Sequence, residues 1–279
     1  MSISVTHKRI RKVAVDSHSD VDDLIAVEEP MELKINYLEL DIPIEKSVSV
    51  TMRTPGHDFE LAAGFLFTEG ILVHSSNLDY ITYCKKVLED SKENVVKVVL
   101  KREAHVNLLS AERNFYITGS CGVCGKASIE AIEQQSSYQI EFDFKINQSQ
   151  LFGLAAQMKT KQVNFKYTGG IHACALFDEL GQLIIIREDI GRHNALDKLI
   201  GHYVIKNEMP LNKKILLLSG RISFELVQKA AMAGISIVVA VGAPSSLAIE
   251  TAEKTGITLI GFLKETSMNI YTHPQRIML

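Results

Sequence analysis

At 279 residues, with 46% apolar and 23% charged residues, the chain can bury a substantial core in one or two domains. Its net charge of −3 makes no electrostatic case for nucleic-acid binding, and no apolar run approaches the roughly 18 residues of a membrane-spanning helix. Four cysteines are too few for a disulfide-built fold, and the start lacks the apolar stretch of a secretory signal. A reducing cytoplasm is therefore expected.

Residues 1–30 are polar and charged and read as a loosely held, flexible terminus. Leu33–Leu40 and Val48–Arg53 alternate as a hairpin around Asp41-Ile-Pro-Ile-Glu45. Thr54-Pro-Gly-His-Asp58 is a turn, with Asp58 placed to cap a helix from Phe59 to Thr68 that stops at Gly70. Tyr80–Lys86, Val95–Lys101 and Asn114–Thr118 read as strands, and Ala127–Gln135 as a helix.

The second half changes rhythm. Gln148–Thr160 is helical, with apolar positions 151, 154, 155 and 158 on one face. Ile171–Asp178 and Gln182–Arg187 flank Glu-Leu-Gly as a hairpin, and His193–Lys206 is a helix. Lys214–Ser219, Ile235–Val241 and Thr258–Leu263 are apolar strands alternating with helices Ser223–Ala233 and Ser246–Lys254. That alternation implies parallel strands joined by crossovers and buried on both faces. The expected organisation is a small α+β domain over 31–118, a mobile loop and connecting helix over 119–146, and an α/β domain over 147–279.

Cys121-Gly-Val-Cys124 is the sole Cys-x-x-Cys, flanked by Gly119, Gly122 and Gly125. Such a pair can bind a metal, cycle through a disulfide, or carry sulfur as a persulfide. A structural zinc site would want four ligands, yet there is no second Cys-x-x-Cys and no closely spaced His pair. A thioredoxin-type pair opens a helix, which three glycines disfavour. Sulfur carriage fits better: one thiolate holds the outer sulfur, and the second thiol can attack the persulfide to release it.

Three further loops follow strand ends. Arg187-Glu-Asp-Ile-Gly-Arg-His-Asn-Ala-Leu-Asp197 is the densest polar cluster, and Arg192 and His193 stand where a helix amino-terminus would hold an anion. Capping by Asp189 or Asn194 is the plainer explanation of the same residues. Ser219-Gly-Arg221 and Val241-Gly-Ala-Pro-Ser-Ser246 repeat the strand-glycine-helix pattern. Loops 189–194, 219–223 and 242–246 could share the carboxyl edge of one sheet, where open α/β sheets bind ligands. His172, after Gly169-Gly170, is either a core histidine or ligand-facing.

Thr54 to Gly70, Cys121 to Gly125, Thr168-Gly-Gly-Ile-His172, Glu188 to Lys198, Leu218 to Ser223 and Tyr271-Thr-His-Pro-Gln-Arg276 follow in this order. Together they resemble the formate dehydrogenase accessory sulfurtransferase family, from about residue 30 to the carboxyl terminus. The resemblance implies a cytidine-deaminase-like three-layer α/β domain plus a smaller α+β amino-terminal domain, assembled as a homodimer. It implies a sulfurtransferase that takes sulfur from a cysteine desulfurase. The sulfur passes to the molybdenum (or tungsten) bis-guanine-dinucleotide cofactor that serves formate dehydrogenase. The persulfide cysteine maps onto Cys121 with Cys124 as partner. The cofactor-contact segment maps onto Phe262, Leu263, Lys264, Glu265, Thr266 and Ser267, beside Arg192, His193, Ser219, Arg221 and His172. No resident metal is implied. A zinc deaminase would need a Glu two residues after a His or Cys ligand and a Pro before Cys-x-x-Cys; neither occurs. A cofactor chaperone that needs the loops but not the thiols is the other reading.

Overall fold

The computed structural model describes residues 4–84, 93–104, 106, 138–140 and 143–279. The strand 114–118, the helix 127–135, and Cys121 and Cys124 fall outside the described residues.

The first half builds two small sheets. β1 (Val5–Ala14) and β2 (Ser17–Ala26) form an antiparallel hairpin where the sequence shows only a polar terminus. Apolar alternation is absent there; opposed charges stand across the ladder instead, as in Arg11 on Asp20. β3 (Glu29–Glu39) and β4 (Ile42–Arg53) turn at Leu40-Asp41, a residue pair with positive φ. With β5 (Leu78–Tyr83) and β6 (Val95–Leu100) they make a sheet of order β4-β3-β6-β5. Met31, Leu33 and Ile35 bury one face against α1 (Asp58–Thr68). Asp58 does not cap α1 with its side chain. His57 holds the cap position in a left-handed conformation, and both Asp58 carboxylate oxygens are taken by the fully buried Arg53.

The second half is a mixed α/β unit. β7 (Ile146–Asn147) leads into α2 (Gln148–Phe152) and α3 (Leu154–Lys161), which meet at Gly153 rather than forming one helix. α4 (Val163–Thr168) follows, a short helix with no fully buried residue and so no apolar stripe to read in the sequence. β8 (His172–Phe177), β9 (Leu183–Asp189), β10 (Ile215–Leu218), β11 (Ile237–Ala240), β12 (Thr258–Gly261) and β13 (Asn269–Ile270) form the main sheet, order β13-β12-β11-β10-β8-β9. β10, β11 and β12 are mutually parallel, as crossovers through α6 (Phe224–Met232) and α7 (Ser246–Thr255) require. β8 is antiparallel to both neighbours. β14 (Ile277–Met278) returns to pair with β7.

The sheet is covered on both sides. Leu216 and Leu218 face α6, α7 and α5 (Arg192–Lys206), whereas Ile215 and Leu217 face α2 and α3. The α5 side continues without a break into the apolar face of β3 and β6, so both halves share one core.

The joint between the halves is the crossing of α1 and α5. A Cβ on Gly64 would lie 1.9 Å from the Asp197 carbonyl oxygen, and one on Gly201 1.8 Å from that of Glu60. The two backbones touch there, which only glycine permits. Buried charges flank this crossing. Lys229 Nζ donates to Asp197 (3.0 Å), Glu69 (2.7 Å) and Thr68 (2.8 Å). Burial pushes the Asp197 carboxyl up to about 6, against the pull of Lys229. Burial also works against the Lys229 charge, but Asp197 and Glu69 hold its pKa above the ordinary lysine value. The Glu60 carboxylate accepts from Arg187 and faces His202 at 2.9 Å. Among the described residues no helix is long and apolar enough to cross a membrane.

Gly64→Ala and Gly201→Ala should each cost about 3 kcal/mol or more in denaturant unfolding, because backbone rather than a yielding side chain blocks the new methyl. Gly170→Ala, whose Cβ would meet nothing nearer than 3.8 Å, should stay within about 1 kcal/mol.

Candidate functional site

Strand direction brings the polar loops together. β9 runs parallel to β10, since β8 opposes both, so the carboxyl ends of β9, β10, β11 and β12 and the start of β8 emerge on one edge. Backbone bonds then stitch the loops: Gly242 N–H donates to Gly220, Ile222 to Ala243, Ser245 to Ile222 and Phe262 to Gly242. A side chain at 242 would sit 2.8 Å from the Gly220 oxygen, so glycine is needed for this approach. The loops at 189–194, 219–223 and 242–246 do share one edge, and residue 262 joins them.

His172 is half-buried at the start of β8, and Gly220 packs against its ring. Burial and then Arg192 hold its pKa below the ordinary histidine value. Ser219 Oγ accepts from the Ala173 amide and fixes the end of β10 to the start of β8. His193 lies 3.3 Å from Ser223 Oγ; burial first, then Arg192 and Lys229, push its pKa down to about 4 despite Glu225 and Glu69. Arg192 is the first residue of α5, whose cap Gly191 offers no side chain, and α6 likewise begins without a side-chain cap at Ser223. The first-turn amides of α5 therefore remain available to an anion, whereas at α6 the Glu225 carboxylate accepts from its own amide and from Ser223. Arg221 is exposed. Phe262 adopts φ 53 and is exposed, while Leu263 is buried in the core. Lys264, Glu265, Thr266 and Ser267 form an exposed turn closed by Lys264 N–H on the Ser267 carbonyl.

Much of the polar density around Arg192 serves the joint rather than the edge. Asp189, fully buried, accepts from the Thr54 amide and the Gly191 amide and pairs with the buried Lys198 at 2.6 Å. Lys198 also donates to the Thr54 carbonyl, and Asn194 to the Met52 carbonyl. Asp197 belongs to the Lys229 cluster. The motif at Thr54 and the motif at 188–198 are thus two sides of one clasp. The carboxyl-terminal motif is also structural: Thr272 bonds Ile257 and Leu259, and Arg276 bonds the Gly256 carbonyl.

A cleft of ≈ 590 Å³ opens beside the edge, lined by His172 and Ser219 together with Met158, Lys159, Gln162 and Phe165. Met158 and Lys159 lie on α3, Phe165 on α4 and Gln162 at the cap between them; none belongs to a motif, and the lysine-rich end of α3 is the one signal in the sequence. Of the two described cysteines, Cys174 is buried, with burial holding its thiol pKa far above the ordinary value, and Cys84 is partly exposed. Among the described residues no group of three or more His, Cys, Asp or Glu is placed to hold a metal ion.

Asp189→Asn should cost about 3–5 kcal/mol, since it leaves Lys198 buried and unpaired; chemical denaturation measures it. The His193 ring should stay neutral until about pH 4 in an NMR titration. As pH falls below 6.5 the unfolded chain takes up a proton that the folded ring refuses. That part of the stability is whole above pH 6.5 and lost toward pH 4.

The FdhD/NarQ family model matches residues 26–278. The sulfur carrier protein FdhD of Streptomyces coelicolor is 44% identical over 275 residues, covering 97% of this chain and 94% of its own. That of Mycobacterium tuberculosis is 43% identical over 283 residues, covering 99% and 100%. That of Sulfolobus acidocaldarius is 41% identical over 278 residues, covering 96% and 99%. The crystal structure of a protein from Desulfotalea psychrophila, described as a formate dehydrogenase accessory protein, shares the fold. Its TM-score is 0.76 at 21% identity, over 99% of this chain and 100% of that one. Family model, full-length relatives and fold agree: this chain belongs to the FdhD/NarQ family.

Proposed function

We propose that the protein is a sulfurtransferase that accepts sulfur from a cysteine desulfurase as a persulfide on Cys121. It passes that sulfur to the molybdenum (or tungsten) bis-guanine-dinucleotide cofactor destined for formate dehydrogenase. The observation that carries this reading is full-length similarity to proteins named sulfur carrier protein FdhD, in a chain with a single Cys-x-x-Cys. Cys174 supports it by contrast: it is sealed in the core and held protonated, so it is a poor nucleophile.

In the transfer, the Cys121 thiolate attacks the outer sulfur of the donor persulfide and the donor thiolate leaves. Cys124 then attacks the inner sulfur of the Cys121 persulfide. This forms a Cys121–Cys124 disulfide and expels the outer sulfur as sulfide onto the cofactor. A cellular thiol reductant restores both thiols. The cofactor is the substrate, and the edge suits its phosphates: the uncapped first turn of α5, Arg192, and the exposed Arg221. A neutral His193 beside Ser223 supplies a hydrogen bond without adding to the positive charge of Arg192 and Arg221. The segment 262–267 borders this edge through the Phe262–Gly242 bond.

The reading also carries a homodimer, a reducing cytoplasm, and a division into domains 31–118 and 147–279 on either side of the Cys121 segment. We read the larger unit as cytidine-deaminase-like. Its antiparallel β8–β9 hairpin, three parallel strands and helices on both faces support that.

With a desulfurase and cysteine, the intact mass should rise by about 32 Da per bound sulfur atom, reversibly with thiol reductant. Cys121→Ala should abolish the gain while leaving cofactor affinity within about tenfold, or about 1.4 kcal/mol. A Cys121→Ala protein that restores full formate dehydrogenase activity to a strain lacking its own copy would make the protein a cofactor chaperone instead.

A further inference from the structure

We propose that Glu225, acting through Ser223, is a positioning residue that holds His193 as the Nε2-protonated tautomer, so that Nδ1 meets a bound ligand as a hydrogen-bond acceptor. His193 is the second residue of α5, and Ser223 is the cap of α6. Their contact therefore joins two of the loops on the strand edge. Glu225 lies in the first turn of α6 and is exposed.

A serine at a helix cap ordinarily accepts from a first-turn amide. Ser223 makes no such bond; the Glu225 carboxylate takes up its own amide instead. The Ser223 hydroxyl is left to two other neighbours: it donates to the Glu225 carboxylate, and His193 Nε2 lies 3.3 Å from its oxygen. A hydroxyl has one proton to give, and an ionised carboxylate can only accept. A bond to the charged acceptor is also about twice as strong as one to a neutral ring nitrogen. The hydroxyl proton therefore goes to Glu225, and Oγ faces the ring as an acceptor. The ring nitrogen opposite it must carry a proton. Glu225 Oε2, 3.9 Å from the same Nε2, draws the proton to that nitrogen as well.

The ring has only that one proton. Burial, then Arg192 and Lys229, keep it neutral against the pull of Glu225 and Glu69. With the proton fixed at Nε2, Nδ1 is a bare lone pair. Among the described residues no hydrogen bond reaches Nδ1, and 35% of the side chain is exposed. A lone pair here accepts from an N–H or O–H of a ligand. It turns away a phosphate oxygen, which offers only lone pairs of its own. Phosphate is thereby left to Arg192, Arg221 and the α5 amides, and His193 selects a neutral donor group beside them. That selection rests on the reading that the cofactor binds at this edge.

Long-range nitrogen–proton NMR correlations of the full chain with isotope-labelled histidine read the tautomer, His193 being assigned by its absence from His193→Gln. Without ligand at neutral pH, the unaltered protein should show a protonated Nε2 and a bare Nδ1. Glu225→Gln and Glu225→Ala should both shift the ring toward the Nδ1-protonated form, because the Ser223 hydroxyl is then free to donate to Nε2. In a Ser223→Ala background the same replacements should shift it less, since the link is gone. Molybdenum bis-guanine-dinucleotide cofactor, extracted and added to saturation, should then move the Nδ1 resonance of the unaltered protein. A bare Nε2 in the unaltered protein, or a tautomer ratio that neither Glu225 variant moves, would overturn the proposal. Equal shifts with and without Ser223 would overturn the relay. Bound cofactor that leaves Nδ1 unmoved would overturn the acceptor role and leave the sulfur-transfer reading standing. Cofactor that does not bind at all would overturn both the acceptor role and the cofactor reading beneath it.

Discussion

Two glycines decide where everything else can stand. Gly64 on α1 and Gly201 on α5 let those helices meet backbone to backbone. The contact is short because neither residue has a Cβ, and no conservative substitution reproduces it. Around it the chain buries charge on a scale that a simple apolar interface would not need: Asp189 with Lys198, Asp197 with Lys229, and Glu60 with Arg187. Replacing such pairs by hydrophobic residues often costs nothing, so stability alone does not account for them. They are directional: Glu60–Arg187 joins the two halves directly, Asp189 and Lys198 both hold Thr54, and Lys229 reaches Thr68 and Glu69, which together fix how α1 and its loop lie on the larger sheet.

That alignment reaches the strand edge. The Thr54 loop is held by Asp189, and Asp189 is the last residue of β9. Its neighbour Glu188 holds α4, and the residue after Gly191 opens α5 with its amides uncapped. One short segment therefore ties the first half of the chain, the cleft wall and the uncapped start of α5 to a common point. Movement at the α1–α5 crossing would be felt at each of them.

The sequence makes the larger unit legible because its strands are continuous apolar runs and its helices follow glycine-punctuated strand ends. From those two signals alone the parallel order of β10, β11 and β12 follows, and so does the shared edge of their loops. The β1–β2 hairpin is not legible, since its pairing rests on opposed charges that read as a solvated tail. Within 188–198, a residue that binds a ligand and one that buries an ion pair look alike in a sequence. Arg192 and His193 stay near the edge, whereas Asp189, Asn194, Asp197 and Lys198 turn inward. The cleft is the hardest feature to foresee. Its α4 wall is capped by Glu188, 26 residues beyond Gln162 at the cap position, and no local pattern announces that bond.

In the proposed transfer, sulfur held on one cysteine is delivered to a cofactor bound at the strand edge. Its most direct test begins with the protein loaded with radiolabelled sulfur by a desulfurase and freed of donor. Guanine-dinucleotide cofactor is then added, extracted and counted. Label should leave the protein and travel with the cofactor, and Cys121→Ala should yield none. Label that remains on the protein while formate dehydrogenase is nevertheless activated would contradict it.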